Sequence, residues 1–375
     1  MCGYLGAIDF REPITARLDA LRKGLSAIRH RGPDGIKEKT GENYYLGHSR
    51  LSIIDLSSLA DMPMVSADGT VSVIYNGEIY NYAELKESLR GHQFRTTSDT
   101  EVIMEGYIRH GADFFRQLRG IFSISILDER TERKIILARD PSGIKPLYIY
   151  HDSGFSVFGS EIKALLPSVR NRLSVNENVL KCYLNLGYCP EPHTIYNELS
   201  TVKPGHVATI SMEGYKEKRL ISYDFGKVNG LSYPANRERT LELLRTAVRR
   251  NLVADVEVAV ALSGGIDSSL IYALAHDSDS DVKGLTVSFS DKEHDESETA
   301  SLYAKTINGT MELVRADSSL DLPTLNCLLA NFDQPYADSS AVNVFFLTRA
   351  SSKITKVLVG GDGGDELFNG YPSQT

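Results

Sequence analysis

The sequence predicts two domains of different class: an α+β unit of stacked sheets, then an α/β unit built on a parallel sheet. Up to about residue 168, many short strand-like runs alternate with only a few helical repeats, the pattern of stacked sheets flanked by helices. From residue 237 the rhythm becomes helix–strand–helix, and Val256 to Leu262 is an almost continuous apolar run, the mark of a strand covered on both faces. The length of 375 residues suits two or three domains.

Residues 2–9 have strand character, and Leu18, Leu21, Leu25 and Ile28 then recur at helical spacing. Arg29-His30-Arg31-Gly32-Pro33-Asp34-Gly35 is dense in turn formers and reads as a loop. Strands are expected at 43–48, 71–75, 121–127, 134–139, 146–150 and 155–159, with helices at 82–90 and 99–110. A helix over 174–186 leads through a loop holding Pro190 and Pro192 to a strand near 206–211. The first domain is expected over 2–205, a linker over 206–236 and the second domain over 237–375. That second domain should open with a helix at 237–251, followed by strands at 256–262, 282–289, 310–315 and 355–359.

Hydrophobic content of 42% and charged content of 24% are ordinary for a globular chain. The net charge of −8 argues against a general nucleic-acid binder. The first twenty residues carry Asp9, Arg11, Glu12, Arg17 and Asp19 and so lack a signal peptide's apolar core, and no stretch reaches membrane-span length. A cytoplasmic protein without membrane partners is expected. Cysteines at 2, 182, 189 and 327 show no zinc spacing, and the last three are expected to be buried thiols.

Cys2 is the candidate nucleophile. Removal of Met1 would place a thiol and a free α-amine on one residue, and an α-amine titrates near pH ~8, where it can serve as a base. Beyond the buried strand, Ser263-Gly264-Gly265-Ile266-Asp267-Ser268-Ser269 leads into a helix. Two glycines allow an anion to approach the backbone, and the helix amino terminus offers unpaired N–H groups, so the loop reads as a phosphate site. Asp267 would repel phosphate unless a cation lay between them, which suggests a magnesium ligand. A second loop, Gly360-Gly361-Asp362-Gly363-Gly364-Asp365-Glu366, follows the last apolar strand. Ligands of open α/β sheets bind beyond strand carboxyl ends, so the two loops are expected to share one metal–phosphate site.

With these motifs, the chain resembles the glutamine-hydrolysing asparagine synthetases and their amidotransferase paralogues. The first half resembles the class II glutamine amidotransferases through Met1-Cys2-Gly3, RHRGPDG (29–35), GHSRLSIIDLS (47–57), YNGEIYNY (75–82), SDTE (98–101), DPSGIKPLYIY (140–150) and FGSEIKALL (158–166). The second resembles the ATP-pyrophosphatase synthetase domain through SGGIDSS and GGDGGDELFNGY (360–371). The resemblance implies an N-terminal-nucleophile hydrolase of αββα layering, followed by an α/β ATP-pyrophosphatase domain.

The same resemblance implies that Cys2 attacks the glutamine carboxamide, with the Asn76 side chain and Gly77 N–H forming the oxyanion hole. Arg50, Leu51, Ile54, Asn76, Gly77, Glu78 and Asp99 would bind glutamine, Arg50 holding its α-carboxylate, Glu78 and Asp99 its α-ammonium. ATP would lie on Leu262, Ser263, Gly264, Gly265, Asp267, Ser268, Val287, Gly360 and Gly361, with Asp267 and Asp365 holding Mg2+. The implied reaction converts a carboxylate, aspartate first among candidates, to an acyl-adenylate that ammonia then amidates. Amidation of another carboxylate such as a sugar acid, and a glutaminase-only form, stay open as alternatives, as does a homodimer. The family's synthetase domain usually extends beyond this motif, so a fragment is expected. Gln334 stands where many paralogues carry a glutamate tied to the amide-forming step, Gly360 where a serine is common, and Asn369 where a glycine is common.

Overall fold

Each apolar run of the first half is long enough to be one short strand, and the strands assemble by antiparallel pairing into two sheets. The computed structural model describes residues 1–152, 154–223, 229–288, 295–315 and 320–371. Residues 1–226 and 332–337 form one unit, and 227–331 and 338–375 form the other.

In the first unit, the strands are β1 (Gly3–Asp9), β2 (Gly35–Thr40), β3 (Tyr44–Arg50), β4 (Met64–Val65), β5 (Val71–Ile79) and β6 (Gly120–Asp128). They continue as β7 (Lys134–Arg139), β8 (Tyr148–His151), β9 (Phe155–Gly159), β10 (Leu199–Thr201), β11 (His206–Ser211) and β12 (Gly214–Arg219). Two six-stranded sheets result, in the orders β10-β8-β9-β1-β3-β2 and β12-β11-β7-β6-β5-β4. A core including Tyr4, Ile8, Leu46, Val73, Phe122, Ile124 and Phe158 fills the space between them. Helices α1 (Leu18–Ala27) and α4 (Ile162–Val169) cover the first sheet over a second core of Leu5, Leu21, Leu25, Val157 and Leu165. The second sheet is flanked by α2 (Tyr82–Ser88) and α3 (Asp99–His110), whose Val102 and Ile103 join the inter-sheet core cluster. The α5 helix (Glu177–Leu186) starts at Asn176, whose side chain accepts the amides of Asn178 and Val179, and stops at left-handed Gly187. This is the αββα layering the sequence led us to expect.

Two departures have local causes. β2 falls at the end of the expected loop. Its side chains are almost all exposed, so no apolar alternation announces it, and only pairing with β3 makes it a strand. The expected linker 206–236 begins instead with β11 and β12, the edge hairpin of the second sheet, where Val207, Ala208 and Ile210 are buried against β7. Charged Lys216, Glu217, Lys218 and Arg219 give β12 a linker's composition because it is an edge strand. Residues 224–228 of that expected linker lie outside the described residues.

In the second unit, α6 (Tyr233–Asn251) begins four residues before the expected start, with Pro234 in its first turn where no amide partner is needed. The succession is β13 (Val258–Ala261), α7 (Ile266–Ser278), β14 (Lys283–Ser288), α8 (Ser297–Thr306) and β15 (Thr310–Arg315). It continues with α9 (Leu322–Ala330), α10 (Ser340–Ser351), β16 (Val357–Val359) and α11 (Gly364–Phe368). The sheet is parallel throughout, in the order β15-β14-β13-β16. Cys189 is buried and Cys182 partly so, but Cys327 on α9 is exposed, contrary to expectation. No helix among the described residues is long and apolar enough to cross a membrane.

Candidate active site

Strand β1 carries the amino terminus between β3 and β9, which brings Cys2 to the end of β3. The Cys2 sulfur accepts the Leu51 amide at 3.3 Å, and its carbonyl accepts Arg31 Nε at 2.9 Å. Burial pushes the thiol's pKa up, while the Leu51 amide and the adjacent amino terminus draw it down. The resting thiol therefore needs a base. The Met1 amine is pulled from 8.0 to about 6, first by burial, with the Arg31 and Lys145 cations adding to the effect. Met1 as a residue is exposed, although its sulfur accepts the ammonium of buried Lys145.

Cys2, Arg50, Leu51, Ile54, Gly77, Glu78 and Asp99 line one cavity, together with Ile53, Met62, Tyr75 and Ser98. Gly77 sits within β5 opposite Phe122, and a Cβ there would come within 2.1 Å of the Ile121 carbonyl oxygen. Any side chain would force β5 and β6 apart. Asn76 is also inside β5. It is 1% exposed, does not line the cavity, and its side-chain nitrogen has no partner.

Arg50 is held by the loop after β3. Its Nη1 donates to Ser57 O at 2.7 Å and Asp61 Oδ1 at 2.5 Å, and its Nη2 to Asp55 O. Asp99 is the first residue of α3, with Ser98 in the cap position. Its Oδ2 accepts Tyr75 Oη–H at 2.9 Å and the Ile79 amide at 3.0 Å, pinning the helix start to β5. Burial raises the Asp99 pKa, and burial together with the Asp99 charge raises that of Glu78 well above the carboxylate range. Two crowded acids of this kind are the complement of an ammonium group.

In the second unit, the loop after β13 is tied by Ser263 Oγ and Ser268 Oγ at 2.8 Å, and Gly265 occupies the cap position of α7. The Gly264 amide donates to Glu296 Oε2 at 2.9 Å, so the loop already holds an anionic oxygen. β16 pairs directly with β13. A Cβ on Gly361 would lie 3.0 Å from Asp267 Cβ, and one on Gly364 2.4 Å from Asp267 Oδ2. The two glycine-rich loops therefore meet at Asp267. Leu262 and Val287 are buried beneath them. Among the described residues no three acids, histidines or cysteines cluster as a ready metal site, so Asp267 and Asp365 form no preassembled cage. Asn369 adopts φ 57°, a left-handed conformation asparagine tolerates, so it does a glycine's backbone work.

Comparison with known families separates the same two halves. A glutamine amidotransferase domain matches residues 1–221, and an asparagine synthase domain matches 239–375. The putative asparagine synthetase [glutamine-hydrolyzing] 2 of Methanocaldococcus jannaschii is 30% identical over 401 residues, covering 99% of this chain and 76% of that one. The chain belongs to the glutamine-hydrolysing asparagine synthetase family. Asparagine synthetase [glutamine-hydrolyzing] 1 of Bacillus subtilis is 32% identical over 383 residues, and this chain spans 59% of its length.

Within this member of the asparagine synthetase family, Gln334 lies in the 332–337 segment that packs with the first unit. Its Oε1 accepts the Ile195 amide at 3.1 Å, a bond a glutamate would also accept, so packing does not demand the amide. Sequence reasoning assigned no role to Arg31, although it lies in the RHRGPDG loop, nor to Lys145, which is 4% exposed at the amino terminus. The signal for Lys145 is a lysine set between Ile144 and the Pro146-Leu147 pair, in an otherwise apolar stretch.

Proposed function

We propose that this chain hydrolyses glutamine at Cys2 and uses ATP to amidate a carboxylate, aspartate in the first instance. The observation that carries the reading is the single cavity in which a buried thiol meets Arg50, Glu78 and Asp99. A guanidinium and two acids match a zwitterion, and the thiol stands beside the side chain to be cut.

With Met1 removed, the Cys2 thiol passes its proton to its own α-amine, and the sulfur bonds to the glutamine Cδ. The amide oxygen takes the negative charge, for which the unpartnered Asn76 nitrogen and the Gly77 N–H are the donors. The C–N bond breaks as the amine returns the proton to the departing nitrogen, releasing ammonia and leaving a thioester for water to cleave. Arg50 holds the α-carboxylate through guanidinium capacity not used by residues 55–61. Glu78 and Asp99 take up the α-ammonium, which lowers both raised acids.

In the second unit, the Ser263, Gly264, Gly265 and Ser268 donors would hold the ATP phosphates. The Gly264 amide, which already binds a carboxylate oxygen, supports that fit. Asp267 and Asp365 would hold Mg2+, which neutralises phosphate charge when bound. Leu262, Val287, Gly360 and Gly361 would line the nucleotide.

The test is glutamate release from glutamine by the mature chain. Cys2→Ala should abolish it, and persistence of hydrolysis in that variant would refute the reading. Intact mass should show the loss of Met1.

A further inference from the structure

A guanidinium carries five N–H donors in a fixed fork. In Arg50 the loop after β3 engages three of them. Nη1 donates to Ser57 O at 2.7 Å and to Asp61 Oδ1 at 2.5 Å, and Nη2 donates to Asp55 O. None of these three acceptor residues lines the Cys2 cavity, whereas Arg50 does. The engaged side of the guanidinium is therefore turned away from the cavity, and Nε with the second Nη2 hydrogen is left to face it. Two donors on neighbouring nitrogens take a carboxylate side-on.

Two of the acceptors are main-chain carbonyls that the loop fixes by itself. Asp55 Oδ1 accepts the Ser57 amide at 3.0 Å, and its Oδ2 accepts the Thr97 amide at 2.9 Å. The third acceptor is a side chain. Asp61 follows the short turn Ser58–Ala60, and its other oxygen, Oδ2, lies 2.7 Å from Lys37 Nζ on β2. Burial opposes a charge on Asp61, but the hydrogen bonds and charges of Lys37 and Arg50 prevail and hold its carboxyl below the ordinary value. With both cations in place the trio keeps a net positive charge, so a carboxylate behind Arg50 does not cancel its attraction for another in front.

We infer that Asp61 is a positioning residue for the substrate: it locks the Nη1 end of Arg50 so that the Nε–Nη2 edge meets the glutamine α-carboxylate. The inference rests on the glutaminase reading and adds to it a residue outside the cavity. Asp61 does not touch glutamine. Without it Arg50 keeps its charge but gains freedom, and binding must then order the guanidinium as well.

The experiment compares wild type and D61A with two substrates, L-glutamine and its α-amide, which lacks the carboxylate. Ammonia release is the readout. D61A should raise KM for glutamine by roughly tenfold, the scale of one charge-assisted hydrogen bond. Its kcat should change by under about twofold, because the lost contact acts equally on bound substrate and transition state. The α-amide should show little change in kcat/KM, since Arg50 has no carboxylate to hold there. Equal losses on both substrates overturn the inference, because they mark a merely structural residue. An unchanged or lowered KM for glutamine also overturns it, the lowered value showing Asp61 to be a competitor for Arg50. If D61A melts below the assay temperature, D61S replaces it. If the wild type releases no ammonia from glutamine, the glutaminase reading fails separately. Arg50 is then probed by calorimetric titration of C2A and C2A/D61A with the same two compounds. Weakening confined to glutamine supports the role of Asp61, and equal affinities or no binding overturn it.

Discussion

The Asn76 side-chain nitrogen is buried without a partner, so the folded chain carries an unmet donor that a developing oxyanion would satisfy. Asn76→Ala should lower kcat for glutamine hydrolysis by ~10²–10³ with a smaller change in KM, since such donors act mainly on the transition state. Steady-state kinetics test this, and a pure KM effect would assign Asn76 to substrate binding. Glu161 offers a pH prediction. Burial opposes its charge, but the His30 hydrogen bond and the Arg31 and Lys163 charges prevail and hold the carboxyl at about 2. A carboxyl held lower in the folded than in the unfolded chain adds stability above its unfolded pKa. That stability, of order 3 kcal/mol, is lost as pH falls from about 4.5 toward 2. Urea unfolding at pH 7 and pH 3 should therefore show a smaller acid loss in E161Q than in the wild type, and equal losses would contradict it. Motifs exposed Cys2, Arg50, Glu78 and Asp99 because each is a recognisable letter in a recognisable string. The burial of Lys145 was hidden, because it depends on loops that only the fold brings to the amino terminus.

Among the elements, α1 and α4 pack closely at Gly24. A Cβ on Gly24 would lie 2.1 Å from the Ala164 carbonyl oxygen and 2.9 Å from Leu5. Gly24→Ala should destabilise the unit by about 1–3 kcal/mol through overpacking, measured by urea denaturation. The start of α4 is held from a distance: Asp333 Oδ2 accepts the Ile162 amide at 2.5 Å, and Lys163 Nζ lies 3.4 Å from Asp333 Oδ1. Asp333→Ala removes that remote cap and should cost about 1 kcal/mol in the same assay. Helical and buried-strand periodicities were readable because each is set by one core face. β2 and β12 were not, because edge strands present mostly charge and gain their strand character from a neighbour. The capture of 332–337 by the first unit was equally hidden, since its contacts are single polar bonds rather than a periodic face.

The molecule as a whole contains separate cores. One pair lies within the αββα unit, and another flanks the parallel sheet, where Val260, Leu262, Tyr272 and Ala275 pack on one side and Ala259, Leu285 and Val287 on the other. Each proposed ligand contacts only one unit, so its binding energy should stabilise that unit by RT ln(1 + [L]/Kd), about 2.7 kcal/mol at a hundredfold excess over Kd. Magnesium–ATP should therefore raise the melting of the parallel-sheet unit, and an unreactive glutamine analogue that of the αββα unit. The two glycine-rich loops meet at Asp267, the carboxylate we propose as a magnesium ligand. Asp267→Ala should abolish the magnesium–ATP shift in differential scanning calorimetry and leave the glutamine-analogue shift in place. A variant that still shows the nucleotide shift would remove Asp267 from the site. Loss of both shifts would mean that the two units melt as one and that the paired glycine loops support more than a nucleotide.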